Sequence, residues 1–294
     1  MRKKSLLSLV AERVVIFDGA MGTMLLESGL PAGGTPELWN LERPDIVEDI
    51  HRRYFAAGSD VVQTNTFGGT ALKLADKGSG DKAEAVNAAA VKIAKRACPE
   101  GCFVAGDIGP TGRMLPPVGT ATVEELEETF FHQAAVLLKN GADLISIETM
   151  FSLEESLAAV RAAKRAGSCP VIAAVTYNKT PNGYFTMMGE GVGQCVQAFE
   201  DSGADVIASN CTLGSRDMLE LVVEMKSTTE KPILIQPNAG KPIADDGGPT
   251  RYEQTAQEFA EDVRRLVDAG ADMVGGCCGT NASFIREMVR QIRS

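Results

Sequence analysis

Short apolar runs alternate with longer amphipathic stretches along the whole chain. The runs occupy residues 14–17, 61–64, 103–106, 144–147, 171–175, 206–208, 233–235 and 273–274. Most are continuous rather than alternating, and continuous apolarity marks parallel strands covered on both faces. The stretches between them, 45–57, 82–97, 123–140, 153–166, 194–202, 216–228, 253–269 and 282–292, show the helical period of an element resting on a core. Four of these helices are predicted to end in a glycine that leads straight into a strand: Gly58-Ser59-Asp60, Gly141-Ala142-Asp143, Gly203-Ala204-Asp205 and Gly270-Ala271-Asp272. Glycine supplies the left-handed residue that turns the chain back toward the sheet.

Eight strands, each followed by one helix, are the arithmetic of an α/β fold of the (β/α)8 TIM-barrel type, a single domain over 1–294. No linker divides the chain, and the Gly/Pro-rich pieces 31–36 and 240–249 read as loops over one face. In such barrels chemistry sits at the C-terminal ends of the strands. Asp18, Asn65, Asp107 and Glu148 fall there after the first four strands. Tyr177 with Asn178, Asn210 with Cys211, Asn238, and Cys277 with Cys278 follow the other four. Every strand thus delivers a polar or soft group to the same rim.

Composition narrows the picture further. An apolar share of 44% against 23% charged residues excludes a disordered chain. A formal charge of −10 argues against a nucleic-acid partner, because nothing offsets repulsion from a phosphate backbone. No apolar run approaches the ~18 residues that span a bilayer. The opening Met1-Arg2-Lys3-Lys4-Ser5-Leu6-Leu7 begins like a signal peptide, but Glu12 and Arg13 interrupt it, so a cytoplasmic location is expected.

The seven cysteines are odd in number and scattered, unlike a disulfide framework. Cys98, Cys102, Cys169 and Cys195 fall on helices or at the opposite end of the barrel and read as small packing residues. Cys211, Cys277 and Cys278 lie just beyond strands six and eight, close enough in a closed barrel to converge on one atom. Three thiolates around an open fourth position describe a catalytic zinc site, whereas an iron–sulfur cluster usually wants a fourth cysteine. Both histidines, His51 and His132, sit inside helical stretches away from the rim. Zinc already balanced by three anionic sulfurs suits a soft ligand. An incoming thiol, with a free pKa of about 8.5, would be bound as a nucleophilic thiolate. The expected reaction is attack of that thiol on an electrophilic carbon.

Asp18 and Glu148 suit an ammonium group, and the turn Asp18-Gly19-Ala20-Met21-Gly22-Thr23 offers N–H groups to a carboxylate. Together they point to an amino acid with its thiol on the metal. Gly106-Asp107-Ile108-Gly109-Pro110-Thr111-Gly112 lacks the Lys-Ser/Thr ending of a phosphate loop and does not match the dinucleotide fingerprint.

At these residues the chain resembles the homocysteine S-methyltransferase family, and within it the homocysteine-binding module of cobalamin-dependent enzymes. The likeness runs from Phe17-Asp18-Gly19-Ala20-Met21-Gly22-Thr23 through Gln63-Thr64-Asn65-Thr66-Phe67-Gly68 and Ile147-Glu148-Thr149-Met150. It continues through Ser209-Asn210-Cys211-Thr212-Leu213-Gly214 and Gln236-Pro237-Asn238-Ala239-Gly240 to Val274-Gly275-Gly276-Cys277-Cys278-Gly279-Thr280. The resemblance implies zinc on Cys211, Cys277 and Cys278, with Asn238 as an oxygen ligand in the fourth place when no thiol is bound. It implies homocysteine near Asp18, Gly19, Asn65 and Glu148. It also implies methylcobalamin, carried on a corrinoid protein or a further domain, as methyl donor. The alternatives are a small onium donor of the betaine or S-methylmethionine type, another thiol acceptor, or a docking subunit without catalysis. Met21, Met24, Met150, Met187 and Met188 fall near the rim, where they would suit a soft docking surface for a corrinoid, but methionines at such spacing are more often filler in irregular core.

Overall fold

A computed structural model describes residues 5–243 and 250–293. Its sheet has eight parallel strands: β1 (Val15–Ile16), β2 (Val61–Gln63), β3 (Phe103–Ile108), β4 (Leu144–Met150), β5 (Val171–Val175), β6 (Val206–Gly214), β7 (Ile233–Asn238) and β8 (Met273–Val274). Each pairs with its successor from β2 to β8, and β8 pairs with β1. A parallel bridge between Phe17 and Val61 joins β1 to β2, so the ring closes. One main helix follows each strand, with short extra helices after the first two: α1 (Pro44–Ala57), α2 (Ala83–Ala97), α3 (Val123–Lys139), α4 (Leu153–Ala166), α5 (Val192–Asp201), α6 (Leu219–Lys226), α7 (Ala256–Asp268) and α8 (Ala282–Arg293). The expected (β/α)8 barrel is the observed one.

Continuous apolarity has a plain cause here, because each face of a strand meets a different core. Inward residues such as Val15, Phe17, Val61, Phe103, Leu144, Ile172, Val206, Leu234 and Met273 fill the barrel. Their neighbours Ile16, Val62, Val104, Ile145, Ile207, Ile235 and Val274 pack outward against the helices. Full burial of each such side chain is worth about 1.5–3 kcal/mol. The short helix Leu6–Val10, capped by Ser5 accepting from Ser8 N at 3.2 Å, closes the lower end with Leu6, Leu9 and Val10.

The recurring Gly-x-Asp also resolves physically. Gly58, Gly141, Gly203 and Gly270 all take left-handed backbone, with φ of 107°, 104°, 82° and 113°. Each aspartate then reaches sideways to the preceding strand. Asp60 accepts from Ile16 N, Asp143 from Val104 N, Asp205 from Val171 N and Asp272 from Ile233 N, all within 2.8–2.9 Å. Each also pairs with a basic side chain: Arg13 with Asp60, Lys95 with Asp143, Lys164 with Asp205 and Lys226 with Asp272. Every even strand is therefore stapled to the odd strand before it, at the end of the barrel away from the rim.

Other details differ from expectation. Two hairpins rise on the rim, Asn178–Thr180 with Gly183–Phe185 and Pro242–Ile243 with Arg251–Tyr252. Asn178 is exposed on the first, outside the barrel mouth. Met24 and Met150 are buried as filler, but Met187 and Met188 are exposed, because they follow that hairpin onto the surface. Residues 1–4 of the opening segment and 244–249 of the second Gly/Pro-rich loop lie outside the described residues.

Two predictions follow from the packing. Asp205→Ala removes a strand staple and should lower unfolding free energy by about 1–3 kcal/mol in urea titrations, with an unchanged result if the staple is idle. His51 on α1 is fully buried with both ring nitrogens unpartnered, and burial drives its pKa down to about 4. The unfolded chain binds that proton more readily, so this contribution is complete above an ordinary histidine pKa of about 6.5 and is lost as pH falls toward 4. His51→Leu should erase about 3 kcal/mol of acid sensitivity between those limits.

Candidate metal and thiol site

Period-two alternation carries the polar groups into the barrel mouth. Extending the inward series Phe103, Ala105 gives Asp107, and Leu144, Ser146 gives Glu148. Val206 and Ala208 lead to Asn210, and Leu234 and Gln236 lead to Asn238. Directly above the apolar plug, Gln236 Nε2 donates to Gln63 Oε1 at 2.7 Å and Gln63 Nε2 to Ser146 Oγ at 3.3 Å. This amide belt is where the apolar core ends.

Above it stand the three rim cysteines. Cys278 Sγ lies 3.9 Å from Cys211 Sγ and 4.0 Å from Cys277 Sγ, and the three sulfurs are all within 4.8 Å of one another. Sulfurs held tetrahedrally at ~2.3 Å from zinc stand roughly 3.8 Å apart, so the spacing fits that ion. Among the described residues this is the one cluster of three such ligands.

Backbone rather than chance brings the sulfurs together. The pairing of β6 with β7 shifts register between Asn210 and Gly214, and Cys211 and Thr212 sit in that irregularity with φ of 58° and 60°. A second irregularity, between β4 and β5, holds Thr149 at φ 55°. Each such residue costs on the order of 1–3 kcal/mol, and these are the non-glycine residues with positive φ among those described. Asn210 secures both: its Oδ1 accepts from Thr149 N at 2.8 Å and its Nδ2 donates to Thr149 Oγ1 at 2.7 Å and to Glu148 Oε2.

The Cys277-Cys278 segment is tied from several sides. Cys277 N donates to Pro237 O at 2.8 Å, Ala239 N to Cys278 O at 2.9 Å, and Thr280 Oγ1 to Cys277 O at 2.7 Å. Gly276 must lack a side chain, because a Cβ there would lie 2.4 Å from Thr280 Oγ1. Gly279 lets the ring of Tyr252 descend from the second hairpin, and the Tyr252 hydroxyl bonds Cys278. Hydrogen bonds from Cys211, Cys277 and Tyr252 stabilise Cys278 as thiolate, drawing its pKa down to about 3. The Cys277 thiol, bonded to Cys211 and Cys278 and buried, is pushed well up.

Beside the sulfurs lie three buried carboxyl groups, Asp18, Asp107 and Glu148. Burial raises the pKa of each, and for Asp107 the neighbouring Glu148 raises it further. Asp18 Oδ2 accepts from Gln63 N at 2.9 Å, but Asp18 Oδ1 and Asp107 Oδ1 have no partner. Among the described residues none of the three forms an ion pair with Lys or Arg. Asn238 Oδ1 is likewise buried without a donor. Gly19 packs against Thr280 and Tyr54, where a Cβ would come within 2.7 Å of Thr280 Oγ1. Asn65 is placed differently: its Nδ2 donates to Pro36 O at 2.8 Å and Asn40 Oδ1 at 3.0 Å, binding the long segment after β1. His51 and His132 lie on α1 and α3, away from the sulfurs, and the other four cysteines are buried or half-buried packing residues.

Comparison with known proteins identifies the family. Residues 15–292 match the family model described as homocysteine S-methyltransferase. The chain belongs to the homocysteine S-methyltransferase family. It is 34% identical over 305 aligned positions to proteins named methionine synthase from Mycobacterium leprae and Mycobacterium tuberculosis, covering 98% of this chain and 25% of each relative. The chain thus spans about a quarter of the length of these relatives. The fold also superimposes on the metallated homocysteine methyltransferase MmuM from Escherichia coli with a TM-score of 0.79 at 21% identity, over 98% of this chain and 99% of that one.

Asn210 and Tyr252 emerge as members of this cluster that the sequence left without a role. Asn210 had been visible as a rim residue. For Tyr252 the available signal was a glycine, Gly279, directly after the cysteine pair. Cys211→Ala or Cys278→Ala should abolish stoichiometric zinc binding in elemental analysis. Tyr252→Phe should keep the metal with affinity lowered about ten-fold in chelator competition. Full zinc retention by both alanine variants would contradict the assignment.

Proposed function

We propose that this barrel, taken over 1–294, is a zinc-dependent homocysteine-binding unit that methylates homocysteine to methionine. The observation that carries this reading is the juxtaposition of three convergent sulfurs with buried carboxylates that lack a cationic partner. Cys211, Cys277 and Cys278 would hold zinc, with the unpartnered Asn238 Oδ1 as the oxygen donor in the absence of thiol. When bound, zinc supplies a soft Lewis acid that keeps a substrate thiol deprotonated at neutral pH.

The chain's own groups do the rest. Asp18 and Glu148 receive the substrate ammonium, and the turn at Gly19 places backbone N–H groups for its carboxylate. Asn210, bonded to Glu148 and Thr149, orients Glu148 toward the mouth. Asn65 acts through the wall, holding the segment 36–40 beside the pocket. The amide belt under the pocket separates it from the apolar plug.

Supporting a methyl-corrinoid donor on a separate protein or domain is the likeness to methionine synthases over a quarter of their length. The exposed Met187 and Met188 stand on the face such a partner would approach. A cytoplasmic location accords with the reduced cysteines, and no helix among the described residues is long and apolar enough to cross a membrane. Homocysteine-dependent loss of the methyl–cobalt absorbance should occur with wild-type protein and vanish with Cys211→Ala. Activity with betaine or S-methylmethionine alone would replace the corrinoid as donor. Glu148→Ala should weaken homocysteine binding about 10- to 100-fold while zinc stays bound. Loss of zinc with that variant would mean Glu148 serves the metal instead.

A further inference from the structure

Asp107 is the one buried carboxyl group at the mouth to which the proposed chemistry gives no task. It ends the inward series of β3, is 3% exposed, and its Oδ1 has no hydrogen-bond partner. Its main chain is fixed, with Asp107 N donating to Thr64 Oγ1 at 3.0 Å and its carbonyl accepting from Thr66 Oγ1 at 2.7 Å. The side chain therefore points into the mouth for a reason other than holding the strand.

The charged groups that act most strongly on it are acidic. Glu148 on β4 lies within hydrogen-bonding reach, Asp18 after β1 adds negative charge, and so does Glu37 from the segment 36–38. Glu37 accepts from Gly68 N at 2.7 Å and itself feels the charge of Lys73. Glu148 is already supplied on its far oxygen by Asn210 and Thr149, and Gln63 stands 3.5 Å from the other. Ionised carboxylates only accept hydrogen bonds. Two of them in bonding contact, away from water, share a proton because both cannot be charged. A shared proton would supply the partner that Asp107 Oδ1 lacks.

Resting on the homocysteine reading above, we propose that Asp107 carries a proton that is exchanged for the substrate's ammonium group. In the free protein the proton bridges Asp107 and Glu148. When the ammonium enters, its positive charge replaces the proton's, the O–H bond of Asp107 breaks, and the proton passes to solvent. Charge at the mouth is conserved across the exchange. Amino-acid affinity therefore rises with pH through the pKa of the pair, until the substrate amine itself deprotonates. Ligands without a cationic group cannot drive the exchange, which makes Asp107 a specificity determinant for α-amino acids.

Two measurements test this on the zinc-loaded whole chain with L-homocysteine as probe. Calorimetry in buffers of different ionisation enthalpy counts protons released on binding. Wild type should release about one more proton than Asp107→Asn, whose amide mimics the protonated acid but cannot lose the proton, while the thiol proton is common to both. A purely structural Asp107 would change affinity with the same proton count, and that result overturns the proposal. Infrared difference spectra provide the second readout. Free wild-type protein at neutral pH should show a carboxylic-acid carbonyl band that is missing in Asp107→Asn and bleaches as homocysteine is added. Absence of that band in the free wild type overturns the proposal whatever the protein binds. A band that persists together with no heat of homocysteine binding overturns the exchange and the homocysteine reading together.

Discussion

Burying acidic groups away from water is costly unless cations arrive to balance them. At the mouth of this barrel three thiols and three carboxyl groups share one pocket, and no Lys or Arg among the described residues pairs with the carboxylates. On the function proposed above, the donor set divides by softness: sulfurs for a divalent metal on one side, oxygens for an ammonium on the other. An amino acid bearing a thiol joins the two halves at once. The apolar plug below makes the demand sharp, since Leu144, Val206 and Leu234 offer no polar contact to share the charge. The strained residues Thr149, Cys211 and Thr212 lie on the irregular ends of β4 and β6, where Asn210 ties one to the other. The strain thus sits where sulfur and carboxylate must be aimed, and the eight-stranded ring below provides the rigidity to hold it.

Much of this was legible in the chain because barrel physics is periodic. Continuous apolar runs identified all eight strands, since strands covered on both faces have no polar face to display. The end-of-strand rule placed Asp18, Glu148, Cys211, Cys277 and Cys278 at one rim, because parallel strands all end on that side; alternation accounts for Glu148 and Cys277, whereas Cys211 is aimed by the register shift in β6. The Gly-x-Asp repeat was read only as a cap. Its aspartate bonds the backbone of the preceding strand, a partner some 30 to 45 positions away that no local pattern names.

What stayed hidden depended on which neighbour claims a polar group. Asn65 stands on the rim as expected, yet its amide is engaged by Pro36 and Asn40 across the long segment after β1. Tyr252 reaches Cys278 from a hairpin whose two strands pair over only two residues each, too short to show a period. Asp107 was visible as a rim residue, but its role rests on contact with Glu148, which only the closed ring creates. Met187 and Met188 are surface residues because the hairpin before them lifts the chain out of the core.

The central claim is that the three sulfurs and the adjacent carboxylates form one site for a metal-held amino-acid thiol. Zinc X-ray absorption on the loaded protein, with and without L-homocysteine, addresses it most directly. The account predicts one zinc in a shell of three sulfurs and one oxygen that becomes four sulfurs when homocysteine is added. A protein that takes up no zinc, or a sulfur shell that homocysteine leaves unchanged, would contradict it.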